Sequence, residues 1–475
     1  MPPSSDLAAM ATWDAVETVA RIRKKDVSAK EVVEAAIARS EELGHLGAVF
    51  ERTYDRARER AARTSADGPL AGVPTFIKDM IQVRGVRTTW GSRATGRYVS
   101  RRTDAIAARM EESGLVMLGK SACPEVGLSV TTEPLGWPPC RNPHDPSRSP
   151  GGSSGGAAAL VAAGVVPIAH GTDAGGSIRI PAACCGLVGL KPSRFRLDGA
   201  GSNLLAVNVI CEGVVTRTVR DTVAFYAALE SRRPPRKVPP IGVSSDQASR
   251  SLRIGVFVES PAGSMVDTEV QQTVREAARL CAGLGHAVEE IPCPFPGSII
   301  DDFMQYMAIV AWFGVRLGRL LVHFGFDASK LDPWTTGFVE FFANAKLAGL
   351  AATMRLRRFA RTFPDVIASF DVLMSPTMAE AAPPLGHLAP DVPFTMLFER
   401  MRAFMAFTAP YNVAGAPAVS LPMGRSSSGL PLGVQFAAAH GKDAVLLDLA
   451  TSLEAARPWE AMAPRQAWAK QEGTA

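Results

Sequence analysis

Residues Ser149–Pro192 read SPGGSSGGAAALVAAGVVPIAHGTDAGGSIRIPAACCGLVGLKP. Glycine and other small residues displace the charged side chains throughout this stretch. Glycine tolerates backbone angles that other residues avoid and lets two chain segments approach closely, but it weakens ordinary helices and strands. So much glycine in a chain this apolar therefore predicts close backbone approach or unusual backbone angles.

The first glycine cluster, Gly151–Gly156, fits several kinds of loop when it is taken alone. A phosphate-binding P-loop needs Lys followed by Ser or Thr directly after the last glycine, and Ala157 and Ala158 stand there instead. The P-loop is therefore excluded. A flexible loop, which any Gly/Ser run can form, remains open.

A nucleophile elbow of the form G-x-S-x-G also fits this cluster, in overlapping frames around Ser153 and Ser154. Such an elbow needs an acidic residue and then a histidine further along the chain. Only His387 and His440 stand in suitable places. The elbow stays as an alternative, whose test is the loss of activity when either histidine is replaced.

A second glycine cluster changes the choice between a flexible loop and a nucleophile elbow. This cluster, Gly171–Pro181, carries Ser177, which lies 24 residues beyond Ser153. In order and spacing the chain resembles the amidase signature family, whose members carry GGSSGG, then GTD-x-GGSIR-x-P, then CGLVGLKP. Here these motifs are Gly151–Gly156, Gly171–Pro181 and Cys185–Pro192. A looser likeness extends over nearly the whole chain. Among family members it looks most like small-amide amidases, including those that open cyclic nylon dimers.

The resemblance implies a Ser-cisSer-Lys mechanism. Ser177 would be the nucleophile and Ser153, which follows a cis peptide bond in the family, would relay the proton to Lys78 as base. The apolar run before Lys78 predicts a buried strand, and burial would push the pKa of this lysine toward neutrality. No histidine takes part, so we expect His170, on an apolar run, to be an ordinary core residue.

The family also implies an oxyanion hole, in which backbone N–H groups stabilise the charge of the tetrahedral intermediate. Its donors are expected at the positions of Ala174, Gly175, Gly176 and Ser177. Asp173 and Arg179 flank this turn, and we expect them to support the loops without a direct catalytic role.

The fold class expected is α/β, since segments typical of strands and helices alternate along the chain. The resemblance implies the amidase signature fold, with a mixed central sheet covered on both faces by helices. We expect a single domain over 1–475 with its core signature region at 71–220. The segment Ser298–Phe363 is helical and aromatic, and a minority of its aromatic side chains are predicted to line a substrate pocket.

The composition argues against several classes of partner and cofactor. The net charge of +5 comes from scattered pairs such as Arg101-Arg102, so no nucleic-acid partner is expected. Seven cysteines without a CxxC pair, and no HExxH motif, favour free thiols in a reducing compartment and no metal or other cofactor. The chain shows neither a signal peptide nor a long apolar run, which predicts a cytoplasmic protein without a membrane association. We expect a monomer or a homodimer.

The predicted activity is hydrolysis of carbon–nitrogen amide bonds in small, apolar or aromatic substrates. Esters and carbamates, including urethanes, are candidates too, because they pass through a similar oxyanion. One alternative is an amidase-like component of a glutamine-dependent amidotransferase. Another is a binding protein without catalysis, which failure of Ser177 to react with a fluorophosphonate would favour.

Overall fold

The computed structural model describes residues 10–64, 67–197, 205–241 and 250–459. The described helices are α1 (Ala15–Lys24), α2 (Ala29–Glu42), α3 (Tyr54–Arg63), α4 (Ala105–Glu112), α5 (Gly155–Ala162), α6 (Arg179–Cys185), α7 (Val219–Arg232), α8 (Thr268–Gly283), α9 (Ile299–Arg316), α10 (Gly318–Leu321), α11 (Pro333–Asn344), α12 (Lys346–Ile367), α13 (Phe394–Phe404), α14 (Ala409–Ala414) and α15 (Asp443–Ala456). The described strands are β1 (Val49–Arg52), β2 (Pro74–Lys78), β3 (Val116–Ser121), β4 (Ile168–Asp173), β5 (Val188–Lys191), β6 (Cys211–Thr216), β7 (Arg253–Val256), β8 (Ala287–Glu290), β9 (Val372–Pro376), β10 (Ala418–Arg425) and β11 (Pro431–Ala438).

Eight of these strands form a mixed sheet in the order β4-β6-β5-β10-β11-β9-β7-β8. Strand β7 pairs in parallel with β8 and β9, and the other pairs are antiparallel. Successive residues of β11 are all buried, although they point to opposite faces of the sheet. Both faces are therefore covered, and the expected α/β fold is confirmed.

Strand β9 shows which helices cover each face. Val372 and Met374 belong to a core shared with α7, α8 and α15. Leu373, which points the other way, belongs to a second core shared with α5, α6 and the aromatic helices α9, α11, α12, α13 and α14. The glycine loops and the aromatic segment thus lie on the same side of the large sheet.

The remaining strands form a separate sheet of three, in the order β1-β3-β2, with β2 parallel to β3. Strand β2 lies along β4 of the large sheet, but side chains link the two strands: the Thr75 hydroxyl donates to the Ile168 carbonyl at 2.9 Å. The apolar run Leu70–Ile77 gave the expected buried strand, while its membership of a second sheet was not foreseen. Lys78, the last residue of β2, faces this seam between the sheets.

Local predictions along the chain have mixed outcomes. The S-x-x-E pattern from Ser28 to Glu31 predicts a capping box, and it is present, with Ser28 and Glu31 bonded to each other's backbone N–H groups. The amphipathic pattern of Ala8–Ile22 predicts one helix there. The described part of that segment instead leaves the helical conformation after Met10, and α1 begins at Ala15, where Asp14 accepts the N–H of Glu17 and caps the helix. Residues 8 and 9 lie outside the described residues.

The aromatic segment 298–363 is helical, as expected, and most of its aromatic side chains are buried. Phe303 and Trp334 belong to the core on the loop side of the sheet, whereas Phe313 is half exposed. All seven cysteines fall in the described ranges and carry free thiols, six of them buried. No helix among the described residues is both long and apolar enough to cross a bilayer.

Candidate active site

Lys78 is fully buried at the seam between the sheets. Its ammonium lies 2.7 Å from the Ser153 hydroxyl, 2.8 Å from that of Thr172 and 3.0 Å from that of Ser154. Burial lowers the pKa of Lys78 to about 8, because the interior disfavours the charged form. About a tenth of the molecules therefore carry a neutral Lys78 at pH 7, and the neutral amine can accept a proton from the nearest hydroxyl.

The loop that carries Ser153 is held by close backbone contacts. The peptide bond between Gly152 and Ser153 is cis, as the resemblance implied. A Cβ at Gly152 would lie 2.5 Å from the Thr131 carbonyl oxygen, so that no larger residue fits. Helix α5 begins directly after Ser154, whose hydroxyl accepts the backbone N–H of Thr172 at 3.3 Å. The first glycine cluster is thus a packed loop, and the flexible-loop interpretation is wrong.

Ser177 is partly exposed, unlike the two buried serines of the first loop. Its backbone carbonyl accepts the N–H of Ser154 at 3.2 Å, which places the two glycine loops side by side. Among the described residues, no hydrogen bond joins the Ser177 hydroxyl to Ser153. The structure therefore brings Lys78 and Ser153 into direct contact and sets Ser177 on the adjoining loop.

The turn before Ser177 is built around the buried carboxylate of Asp173. This group accepts the backbone N–H of Gly176 at 2.7 Å and that of Ile178 at 3.1 Å, and it pairs with Arg179 at 2.9 Å. Burial alone would raise the pKa of Asp173, but the Arg179 guanidinium outweighs it and holds this pKa well below its usual range. Asp173 thus stays ionised and binds the turn from inside, in keeping with its expected supporting role.

Gly176 differs from the expected oxyanion donor, because its N–H is already bonded to Asp173. Its φ of 124° and the position of a hypothetical Cβ, 2.4 Å from the Thr408 hydroxyl, give it another role: only glycine fits this turn. Within the described part of the chain, the N–H groups of Ala174, Gly175 and Ser177 make no such bond. These three remain as candidate donors.

Several residues of the site were missed by sequence reasoning. Arg179 also donates to the Thr408 carbonyl and the Gln435 side chain, and Asn412 donates to Asp173. These partners come from more than 200 residues further along the chain, and the sequence analysis gave none of them a role. Thr172, by contrast, stands within the second motif, and its position next to Asp173 on β4 was a signal that could have been used.

The aromatic segment reaches the second glycine loop. A Cβ on Gly175 would lie 2.7 Å from the ring of Phe303, on α9, and 3.1 Å from the methyl group of Met405. Beside the first loop, Gly127 belongs to a separate segment, and its hypothetical Cβ would lie 2.7 Å from the sulfur of Met80 and 3.4 Å from the Ser153 hydroxyl. Apolar side chains thus adjoin the loops that carry both serines.

The histidines have ordinary structural partners. His170 is fully buried with Nε2 2.9 Å from a Glu212 carboxylate oxygen, which confirms the expected core histidine. The His440 ring bonds the Arg194 carbonyl, and the His387 carbonyl accepts from Arg400. The structure gives neither of the last two a bond to the described glycine loops, which removes support for the elbow. No group of three or more His, Cys, Asp or Glu within the described ranges is arranged to hold a metal ion.

Comparison with known proteins shows a likeness to amidases over nearly the whole chain. The Amidase family profile matches residues 31–447. AmiC of Mycobacterium tuberculosis is 41% identical over 455 residues, which cover 95% of this chain and 96% of AmiC. A component of the glutamyl-tRNA(Gln) amidotransferase of Chromohalobacter salexigens is more distant, at 32% identity over 94% of this chain and 97% of that protein.

Solved structures of similar proteins share the fold of this chain. The structure of a 6-aminohexanoate cyclic dimer hydrolase in complex with substrate superposes with a TM-score of 0.85 at 32% identity, covering 96% of this chain and 99% of the other. A family match over most of the chain, together with similar proteins of nearly the same extent, shows that the chain belongs to the amidase signature family and is a hydrolase of carbon–nitrogen amide bonds.

Proposed function

We propose that the chain cleaves its substrate through an acyl-enzyme on Ser177, with Ser153 as proton relay and Lys78 as base. The observation that carries this proposal is the 2.7 Å hydrogen bond between the buried Lys78 ammonium and the Ser153 hydroxyl. A serine hydroxyl needs a base within hydrogen-bond reach to attack a carbonyl. Neutral Lys78 supplies that base through Ser153, which passes on the proton that Ser177 loses.

The reaction has two steps, and every proton that is transferred in them returns to a defined group. In acylation, Ser177 Oγ attacks the carbonyl carbon, its proton moves to Ser153, and the Ser153 proton moves to Lys78. The relay then returns a proton to the leaving nitrogen as the carbon–nitrogen bond breaks. In deacylation a water molecule attacks the ester and gives up its proton along the same path, which releases the acid and regenerates Ser177.

The oxyanion of each tetrahedral intermediate is proposed to bind the N–H groups of Ala174, Gly175 and Ser177. These groups stand on the turn that Asp173 holds from inside. Preorganised donors of this kind are typically worth about 10² to 10³ in rate each. Gly176 contributes the shape of the turn, since its own N–H is directed to Asp173.

The proposed substrate is a small amide with an apolar or aromatic group. Phe303 and Met405 adjoin Gly175, so an apolar group bound beside the scissile carbonyl would meet apolar side chains. The structural neighbour named above is a hydrolase of 6-aminohexanoate cyclic dimer, which supports a small substrate for this chain. Esters and carbamates, urethanes among them, remain within the proposal. The amidotransferase component is the weaker alternative, since its relative is less similar than AmiC.

Hydrolysis of a panel of aryl and alkyl amides, esters and carbamates by the wild type and Ser177→Ala tests the proposal. We expect turnover that is lost in the variant. Glutamine would be tested in parallel, and ammonia release that needs a partner protein would favour the amidotransferase. The cytoplasm remains the proposed location, which free thiols favour because reducing compartments keep cysteines unpaired. A monomer or homodimer remains the expected state.

A further inference from the structure

The seam between the two sheets contains a buried pair of titratable groups that the proposed mechanism does not use. His170 lies on β4 and Glu212 on the neighbouring β6, and both side chains are buried. The His170 Nε2 atom lies 2.9 Å from a Glu212 carboxylate oxygen. The other ring nitrogen, Nδ1, faces β2 and lies 3.4 Å from the backbone nitrogen of Lys78.

These contacts determine the protonation of the His170 ring. The backbone N–H of Lys78 is a donor, so Nδ1 must carry a lone pair and no proton. The single ring proton is then on Nε2, where it points to the carboxylate of Glu212. His170 is therefore neutral, in one tautomer, because its two partners have opposite hydrogen-bond character.

The contact to Lys78 satisfies a backbone group that sheet pairing leaves open. Strand β2 pairs with β3 on one side, and on its other side the hydrogen bonds to β4 that the described residues make all involve a side chain. Lys78 is fully buried, so water cannot satisfy its N–H. The ring of His170 therefore fixes the peptide of the residue whose side chain contacts Ser153.

We propose that His170 and Glu212 form a positioning pair for Lys78, in which Glu212 sets the ring tautomer and the ring holds the Lys78 backbone beside Ser153. This inference rests on the proposed role of Lys78 as base. His170 and Glu212 touch no reacting atom, so they act through Lys78 and are positioning residues.

The pair also sets the charge around Lys78. Burial is the main influence on the pKa of Lys78 and lowers it, while the Glu212 carboxylate opposes that shift. The other ionisable groups that act on Lys78 are Cys123, whose buried thiol has a raised pKa and is neutral, and Asp173, which is compensated by Arg179.

Two neighbouring charges cancel, since Asp79 pairs with Lys120 at 2.9 Å. Glu212 differs from Asp79 and Asp173, because its partner His170 carries no charge. The carboxylate of Glu212 is therefore the group whose charge should affect the protonation of Lys78 most directly. A glutamine at this position removes that charge and keeps nearly the same side-chain shape.

The first test is the pH dependence of kcat/KM in Glu212→Gln. The glutamine oxygen still accepts the His170 proton, but the negative charge is gone, so Lys78 loses its proton more readily. We expect the acidic limb of the profile to move to lower pH by about one unit, with the alkaline plateau within about threefold of wild type. Glu230→Gln is the matched control: this buried carboxylate belongs to a separate pair with Arg196, and the limb should stay in place.

The second test compares His170→Asn with His170→Leu. The asparagine oxygen can occupy the place of Nδ1 and accept the Lys78 N–H, whereas leucine cannot. We expect kcat to fall at least about tenfold in the leucine variant with KM little changed, because a misplaced base affects the chemical step, and to recover in large part in the asparagine variant. His440→Asn serves as the control for a histidine outside the site.

A third measurement does not depend on activity and is made on the wild-type protein, with a variant used only to assign signals. The ¹⁵N NMR spectrum of histidine-labelled protein, with the His170 signals assigned through His170→Asn, should show Nε2 protonated and Nδ1 unprotonated at neutral pH. The opposite tautomer, an unmoved or alkaline-shifted limb in Glu212→Gln, or equal activity of the two His170 variants would overturn the inference. If Ser177→Ala keeps full activity, the proposed function itself has failed; if it is inactive while these tests fail, only the positioning pair is wrong.

Discussion

Replacing Arg179 by methionine should destabilise the protein strongly, because it leaves a buried charge without a partner. Arg179 and Asp173 are both fully buried and lie 2.9 Å apart. The guanidinium also donates to the Thr408 carbonyl at 2.9 Å and to the Gln435 side chain at 2.6 Å. Removing one member of a buried ion pair typically lowers the free energy of unfolding by about 3–5 kcal/mol. We expect Arg179→Met to fall in that range.

The pH dependence of this loss has a definite sign. In the wild type the pKa of Asp173 lies below that of the unfolded chain, so its contribution to stability is present above about pH 4 and is lost only as the pH falls through the folded value. In Arg179→Met burial acts without the guanidinium and raises this pKa, so the penalty appears as the pH rises above about 4. The difference between variant and wild type should therefore be largest near neutral pH and shrink under acidic conditions.

Urea denaturation followed by tryptophan fluorescence at several pH values measures both effects. Arg358→Met, an exposed arginine on α12, is the control and should change the free energy of unfolding by less than about 0.5 kcal/mol. The double variant Asp173→Asn/Arg179→Met should recover much of the loss, because no unpaired charge remains. The proposed role of the buried Asp173–Arg179 ion pair would be wrong if Arg179→Met lost less than about 1 kcal/mol of unfolding free energy. It would also be wrong if that loss grew toward acidic pH.

Three further predictions concern activity. Ser177→Ala and Lys78→Ala should abolish turnover while circular dichroism stays native, and His387→Ala and His440→Ala should keep wild-type activity; the reverse pattern would favour an elbow-type hydrolase. Gly176→Ala should lower kcat by about 10² because the turn that carries Ser177 must shift, whereas Gly283→Ala, with open space around its Cβ, should not; equal activity of the two would contradict the proposed turn geometry. Phe303→Ala should reduce kcat/KM roughly tenfold for an aryl amide. Phe313→Ala, on the exposed face of the same helix, should change it little. An unchanged preference for aryl amides in Phe303→Ala would show that Phe303 does not line the pocket.

Much of the fold could be predicted from the sequence, because the decisive signals were local. Glycine spacing around Ser153 and Ser177 fixed the family resemblance, and the apolar run before Lys78 gave both the strand and the burial that lowers the pKa of the lysine. The capping box at Ser28 marked a helix start correctly, since a cap acts within one turn of the chain.

The features that were missed depend on contacts between distant parts of the chain. Strand β2 could be recognised, but its pairing with β3 in a separate sheet follows from register, which one strand does not encode. The family resemblance implied Gly176 as an oxyanion donor, and nothing in the local sequence indicates that Asp173 accepts its N–H. The support from Thr408 and Asn412 comes from α14 and the residue before it, more than 200 residues beyond the glycine turn, so that no local spacing links them to it. The single domain over 1–475 stays a prediction.

The central claim is that Lys78, through Ser153, activates Ser177. The most direct test is the rate at which a fluorophosphonate labels the protein between about pH 6 and about pH 10, with the labelled residue located by mass spectrometry. We expect modification of Ser177 alone, at a rate that rises with pH through an apparent pKa of about 8 and collapses in Lys78→Ala. Labelling of another residue, or a rate at Ser177 that neither depends on pH in this range nor falls in Lys78→Ala, would contradict it.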